Sequence, residues 1–390
     1  MTHAHRHRRD PGLGPAPRGV RIILTAVLVP LIAATILGLV VLWPSGDEVK
    51  AGDLAVQRAH ATVLATHPCR HGVSHCLSAS VDLTSGPGAP GRAEATLPFG
   101  RQAPPFEVGD QITLGYVAQA PVDQRYQFID FDRTQPLMLL LGIFIAGVLM
   151  LSRWRGIGSL ASLAFSLLLI TLFAVPALLE GSPPLAVAIV TASTIMIVAL
   201  YLSHGFNART SVAMLGTLLA LVVTSVLGSI FTRIGKFTGL KEEESQFIGA
   251  VANQVDLRGL FLAGLVIGAL GVLDDVTVTQ ASAVWELADA DPQASRASLF
   301  ARGMRVGRAH VASTINTLVL AYVGATLPLL LVFTVIDVPI GVAVSQELVA
   351  QEVVRGLVGG LGIMTAVPIT TAIAALIAGL LATRRNPSPA

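Results

Sequence analysis

The sequence predicts a polytopic α-helical membrane protein of about eight spans, with a small β-rich extracytoplasmic domain after the first span. Three observations predict it. Of 390 residues, 53% are hydrophobic and 13% charged, against about 25% charged in a soluble domain. Apolar runs long enough to cross a bilayer, which takes roughly 20 residues, recur along the chain. The one long stretch without such a run alternates apolar and polar residues in short segments, the period of half-buried strands. The mean hydropathy, +0.70, agrees.

Residues 1–21 form a basic tail containing His3, His5, His7, Arg6, Arg8 and Arg9, with no apolar capacity to fold. The run Ile22–Trp43 follows. It exceeds the 7–15 apolar residues of a signal peptide and lacks a persuasive small-x-small cleavage site, so residues 22–43 read as a retained anchor. Residues 44–135 carry the alternating segments Ala59–Thr66, Leu77–Thr84, Arg92–Leu97, Gln111–Val117 and Tyr126–Phe131, separated by turn signals such as SGPGAPG. Five short strands of this kind predict a small β-barrel or sandwich. Residues 136–385 hold seven further spans: Pro136–Leu151, Ile157–Leu179, Pro184–Leu202, Ser211–Phe231, Leu260–Trp285, Val311–Ile336 and Leu357–Ala382, with a tail at 386–390. Pro368 is expected to kink the last of them. The loop Thr232–Arg258 is too long for a simple connection. Its KEEESQFIGAVANQ run predicts a short surface helix, and the charged linker Leu287–Arg308 is expected to be helical as well.

Charge placement orients the spans. The arginines of the N-terminal tail, Arg153, Arg155, Arg209, the group Arg296, Arg302, Arg305 and Arg308, and Arg384 with Arg385 all fall on one side. Glu180, Glu242, Glu243, Glu244, Asp337, Glu347 and Glu352 fall on the other. By the positive-inside rule both termini are cytoplasmic, in a bacterial cytoplasmic membrane. The net charge of +2 is uninformative about partners, and no basic face with interleaved aromatics points to nucleic acid.

Two stretches carry candidate chemistry. The sixth span holds adjacent carboxylates, Asp274 and Asp275, near the bilayer interior, where a charge costs about 2.5–3.5 kcal/mol even on insertion scales. Asp275, Thr279, Ser282 and Glu286 recur on one helical face, with Asp274 about 100° away. Gly264 and Gly268 form a GxxxG that suits close approach by another helix. The seventh span places His310, Thr314 and Thr317 on one face, with Ser313 and Asn316 beside it. Carboxylate, hydroxyl and amide oxygens suit protons or hard cations better than soft metals. Two readings stay open: an ion- or proton-coupled path, and a buried polar lock in which Asp275 bonds Asn316 or nearby hydroxyls. The second stretch is HPCRHGVSHC, with His67, Cys69, His71, His75 and Cys76. A Cys69–Cys76 disulfide is the plainer reading on the oxidising side of a membrane, with a metal site as the alternative. His204 and Asn207 read as a helix–turn–helix connection. GxSxG, HExxH, P-loop and Rossmann patterns are absent from the sequence, so an enzyme is not expected.

The stretches GLFLAGLVIGALGVLDDVTVTQASAVWEL, VGRAHVASTINTLVLAYVGATLPLLLVF and GLVGGLGIMTAVPITTAIAAL resemble the YibE/F-like family of bacterial multi-pass membrane proteins. The layout of one anchor, an external region containing FEVGDQITL and a seven-span block is similar too. The resemblance implies no particular activity. It places Asp275 and Asn316 at motif positions, and it implies that related chains carry an acid where Ala309 stands here. The expectation is therefore a proton- or cation-coupled transporter or permease without a cofactor. The alternative is a non-transporting envelope scaffold or accessory protein whose external β-domain binds a partner; an envelope protein or a homo-oligomer is the association expected.

Overall fold

The computed structural model describes residues 18–46, 57–68, 77–101, 103–239 and 255–383. The N-terminal tail, the Cys69 to Cys76 segment with its expected disulfide, the expected surface helix within 240–254 and the C-terminal tail lie outside the described residues. The chain divides into two compact units, one of residues 50–153 and one of residues 1–49 with 154–390.

The smaller unit begins with five strands: β1 (Gln57–Pro68), β2 (Leu77–Ser85), β3 (Gly91–Leu97), β4 (Gln111–Tyr116) and β5 (Tyr126–Phe131). All five expected strands are present, shifted by a few residues at most. They close into a barrel in the order β1-β2-β3-β5-β4, with β3 and β5 parallel and the other pairs antiparallel. This is the strand order of an OB-type Greek-key barrel. The period-2 alternation sets the inside: Ala59, Ala61, Val63, Ala79, Val81, Leu83, Ala95, Leu97, Ile112 and Leu114 are buried and interdigitate. Tyr126 completes the core and donates its hydroxyl to the Pro87 carbonyl at 2.8 Å. Gly86, at φ +91°, turns β2 toward β3 where a Cβ would strike the Arg58 carbonyl. Phe106, Phe128 and Phe131 form an aromatic cluster with centroids 5.0–5.2 Å apart. The chain then enters helix α2 (Thr134–Ser152).

The larger unit holds the other long helices: α1 (Arg18–Val41), α3 (Gly156–Leu179), α4 (Pro184–His204), α5 (Ala208–Ile234), α6 (Leu257–Ala290), α7 (Arg296–Val335) and α8 (Glu347–Thr383). With α2, eight helices among the described residues are long and apolar enough to cross a membrane. A π-helical turn at Ile170–Ala174, just before Pro176, interrupts α3. Asn207 caps α5 by accepting from the Thr210 N–H at 2.9 Å, so the His204–Asn207 connection is the turn its sequence predicts. Pro368 lies inside α8, whose helix runs through it.

The first helix is more than a tether. Val20, Leu24 and Leu28 are buried, Gly38 packs against Val190 of α4, and Trp43 meets Phe173 with centroids 5.7 Å apart. Just beyond it, Glu180 accepts the backbone N–H groups of Ser45 at 2.9 Å and Gly46 at 3.1 Å. These bonds hold its carboxyl below the usual carboxylate range. At the centre of the unit α6 touches α4, α5, α7 and α8, and α8 in turn touches α5, α6 and α7. The charged linker after the sixth span is two helix ends and a turn from Asp291 to Ser295, with Ser295 capping α7 and Arg302 paired to Asp291 at 3.0 Å.

Candidate functional site

Helix α6 is 34 residues long, and Asp274 lies near its middle, about 24–26 Å along the axis from either end. The helix has two unlike faces. Leu262, Leu265, Ala269, Leu273, Val276, Gln280 and Val284 are buried against neighbouring helices. Gly264, Gly268, Gly271, Asp275, Thr279 and Glu286 are exposed, and Ser282 on the same stripe is half-buried. The spacing of three and four residues makes that stripe continuous along the helix.

The two carboxylates therefore sit in different surroundings. Asp275 projects onto the open stripe. Asp274 is turned about 100° away, and its Oδ1 is buried without a hydrogen-bond partner. The Asp274 carbonyl accepts from the Thr277 hydroxyl at 3.1 Å, and Thr277 also meets Thr217 of α5, hydroxyl to hydroxyl, at 2.6 Å.

On α7, His310 and Thr314 are half-buried while Asn316 and Thr317 are exposed. The His310 Nε2 is buried and unpartnered. The threonine hydroxyls bond within their own helix, Thr314 to the His310 carbonyl at 2.9 Å and Thr317 to the Ser313 carbonyl at 3.1 Å. Among the described residues, no hydrogen bond joins Asp274 or Asp275 to a side chain of α7. Of the bonds that the lock reading offers Asp275, to Asn316 or to nearby hydroxyls, the one to Asn316 is not made among the described residues; Asn316 lies about 120° round α7 from His310.

The path of α7 explains this separation. Its buried residues are Leu299, Gly303 and Gly307, all in its first third, and none lies between Val311 and Val335. At Gly303 a Cβ would lie 2.8 Å from both Val284 and Thr371. At Gly307 it would lie 2.5 Å from Val367 and 2.8 Å from Gln280. Farther along, α7 stays on α8, where a Cβ at Gly360, Gly359 or Gly356 would lie 3.4–4.0 Å from Ile315, Leu318 or Tyr322 respectively. It leaves α6, however. A Cβ at Gly264 or Gly271 would meet nothing within 4 Å, and at Gly268 only the Tyr322 hydroxyl, at 4.0 Å. Helices α6 and α7 thus touch near the Asp291–Ser295 turn and diverge away from it. Gly268, Asp275 and Thr279 edge the crevice on one side. On α7, His310, Thr314 and Thr317 continue the face of Gly303 and Gly307.

The geometry corrects the sequence reading at three points. Among the described residues, the GxxxG of Gly264 and Gly268 receives no helix; the pair that permits close approach is Gly303 and Gly307. Glu347 and Glu352 belong to the first turns of α8 instead of a loop. Glu347 accepts from the Thr238 and Gly239 N–H groups at 2.7 and 2.9 Å, and Glu352 pairs with Arg355 at 2.8 Å. Third, the residue that joins three helices, Gln280, went unsingled in the sequence. It is 2% exposed, and its amide donates to the Gly303 carbonyl at 2.9 Å and to the Thr371 hydroxyl at 2.7 Å. The signal was there: a long amide among small residues, one turn past the stripe's acid.

No group of three or more His, Cys, Asp or Glu side chains placed to hold a metal occurs among the described residues. Of the histidine-rich segment, only His67 is described. It pairs with Glu94 at 3.0 Å across the barrel surface, with Ser80 bridging to the same carboxylate at 2.9 Å. The crevice can therefore offer carboxylate, hydroxyl and imidazole groups in an apolar setting, which is chemistry for protons and hard cations.

No curated protein and no solved structure is significantly similar to the chain. The model of the YibE/F-like protein family matches residues 140–380, which take in every helix that builds the crevice and more than half of the sequence, and the chain belongs to that family.

Proposed function

We propose that the protein is a transporter or channel-like permease coupled to protons or a hard cation, and that the α6–α7 crevice is its path. One observation carries this reading: two adjacent carboxylates lie at the middle of a span, one with a buried and unpartnered oxygen, the other on a face that none of the described helices covers. Ionisable groups at that depth face a bundle interior or a water-filled cavity, and they mark ion or proton routes. Asp275 is the binding or relay carboxylate, with Asp274, Thr279 and His310 beside it. Ser282, Glu286, Thr314, Asn316 and Thr317 line the approach to either end. The arginine-rich ends support a bacterial cytoplasmic membrane with both termini inside.

The test is flux. Purified protein in liposomes loaded with a pH dye is given a gradient of each of several cations in turn, and wild type is compared with Asp275→Asn of equal yield and helicity. Wild type should move protons or a cation, and the variant should lose at least tenfold of the rate. Silence of the wild type across the panel would sink the proposal. The closed barrel favours a second reading, an envelope scaffold that binds a partner through that domain. In that case Asp275→Asn leaves function intact, and a defect in the barrel abolishes it.

A further inference from the structure

We propose that Tyr322 is the constriction of the path, the side chain that a permeant must touch between the Leu257 end of α6 and the carboxylates. The inference rests on the transport reading and deepens it, by naming a residue that decides what passes.

The phenol bridges three helices. Tyr322 stands on α7. Its ring lies on α8, where a Cβ at Gly356 would be 3.5 Å from the ring edge. Its hydroxyl lies 4.0 Å from a Cβ built at Gly268 of α6. The side chain therefore crosses the crevice from α7 to α6, over α8. Gly268 belongs to the exposed stripe of α6. Asp275 is about two turns farther on, roughly 20° round the helix and about 10 Å along it. The hydroxyl thus stands on the line that leads to that carboxylate. To either side the stripe is open, since a Cβ at Gly264 or Gly271 meets nothing within 4 Å. Among the described residues, Tyr322 is the one side chain of another helix that comes so near these three glycines.

The space left at Gly268 is smaller than a water molecule needs. The hydroxyl oxygen is at most about 5.5 Å from the Gly268 Cα, the 4.0 Å plus one carbon–carbon bond. A water between them would need about 6 Å, roughly 2.8 Å to the hydroxyl and 3.5 Å to the carbon. A file of water along the stripe is therefore broken at Gly268. A phenol suits such a place. Its hydroxyl both donates and accepts, and among the described residues it makes no hydrogen bond. It can replace one water of a hydrated proton or hard cation as the ring swings aside. The wall behind it is braced: Arg355 of α8, paired with Glu352 at 2.8 Å, lies over the Phe261 ring of α6 at 5.7 Å. Gln280 ties the same two helices farther along. With α6 and α8 held together, the phenol sets the width.

The test uses the full-length protein with Cys69 and Cys76 replaced by alanine and one new cysteine. This is Gly264→Cys, on the Leu257 side of the phenol, or Gly271→Cys, on the carboxylate side; both positions have room for a side chain. The protein is reconstituted in sealed vesicles, and a membrane-impermeant maleimide is applied from each side in turn. From the side that labels position 264, position 271 should label at least tenfold more slowly. Tyr322→Ala should raise the rate at 271 at least fivefold and leave the rate at 264 unchanged. Tyr322→Phe keeps the ring and removes the oxygen that reaches Gly268. It should raise the rate at 271 by a smaller factor, in a background that folds even if the alanine variant does not. Equal rates at the two positions with Tyr322 intact, or a rate at 271 that neither variant raises, overturns the constriction. So does a rise at both positions together, which marks a loosened bundle. Labelling of neither position from either side, when both label after the vesicles are dissolved in detergent, is a different result: it removes the water-filled path, and with it the transport reading on which this inference stands.

Discussion

The divergence of α6 and α7 predicts opposite signs for glycine substitutions only a few turns apart. At Gly307, alanine would place a methyl 2.5 Å from Val367 and 2.8 Å from the Gln280 Oε1. Carbon atoms rest at about 3.5–4.0 Å, so α7 must move outward by roughly 1 Å or neighbouring side chains must leave their rotamers. Overpacking of this kind costs about 1–3 kcal/mol. Weakening the Gln280 bonds adds about 0.5–1.5 kcal/mol for each one lost. At Gly264 and Gly271 nothing lies within 4 Å. There the substitution should be neutral or stabilising, by up to about 0.5–1 kcal/mol from reduced backbone freedom. The assay is equilibrium unfolding in mixed micelles, with the buried Trp285 of α6 contributing the fluorescence reporter. A gap of about 1.4 kcal/mol is tenfold in the unfolding constant, so the two classes should separate clearly. Equal effects at Gly307 and Gly271 would refute the wedge. A large loss at Gly271 alone would mean that the crevice is filled by another helix.

In the barrel, Ile112 is fully buried, and Ile112→Ala should cost about 2–5 kcal/mol. For a domain of this size that is comparable to its whole stability, so amide exchange in β1 and β4 should approach the unfolded rate while α5–α8 stay protected; protection retained in those strands would contradict the core assignment. Glu180 supplies a pH dependence. Because the Ser45 and Gly46 N–H groups hold its folded-state carboxyl below the usual range, its contribution is present above the ordinary carboxylate value and is lost as pH falls through the depressed one. Acidification should therefore release the Pro44–Gly46 turn, seen as faster exchange there after correction for intrinsic rates, and Glu180→Gln should abolish that dependence. A turn equally protected at pH 7 and pH 3 would argue against the latch.

Much of the architecture was legible because the signals are local. Runs of apolar residues define helices whatever they pack against, and inward-facing pairs such as Val81 with Leu83 or Ile112 with Leu114 declare strands by period alone. Closure of the barrel was not legible, since the parallel β3–β5 pairing joins segments that share no turn. The site divides in the same way. The stripe from Asp275 to Glu286 follows from helical spacing, and the structure keeps it on one face. Which of two adjacent carboxylates turns inward depends on the position of the neighbouring helices, and spacing on α6 does not contain that. The two GxxxG pairs show the same limit. Gly264–Gly268 and Gly303–Gly307 look alike in sequence, and only the second meets a partner, because Gln280 and Val284 lie opposite it.

The polar groups that do fasten this bundle show what a lock looks like here. Gln280 spends its amide on Gly303 and Thr371, and Thr277 meets Thr217. Each is buried and each has a partner, as expected where water is absent and an unmet donor or acceptor costs about 1–3 kcal/mol. The Ser225, Thr232 and Thr370 hydroxyls are buried without a partner, but the carboxylates differ in being ionisable. Asp274 keeps a buried oxygen without a partner, Asp275 stands on an uncovered face, and His310 at a similar level of α7 has an unpartnered ring nitrogen. Packing alone gives no return on that cost. An asparagine or leucine at either acid would serve a scaffold better, so if the bundle were only a scaffold, Asp274→Asn and Asp275→Leu should both raise its unfolding midpoint without loss of function. A path for protons or cations needs the opposite arrangement: groups left unsatisfied by the protein so that a passing ion, or its water, can satisfy them. Loss of activity together with a gain in stability on substituting either acid is the outcome that this account requires.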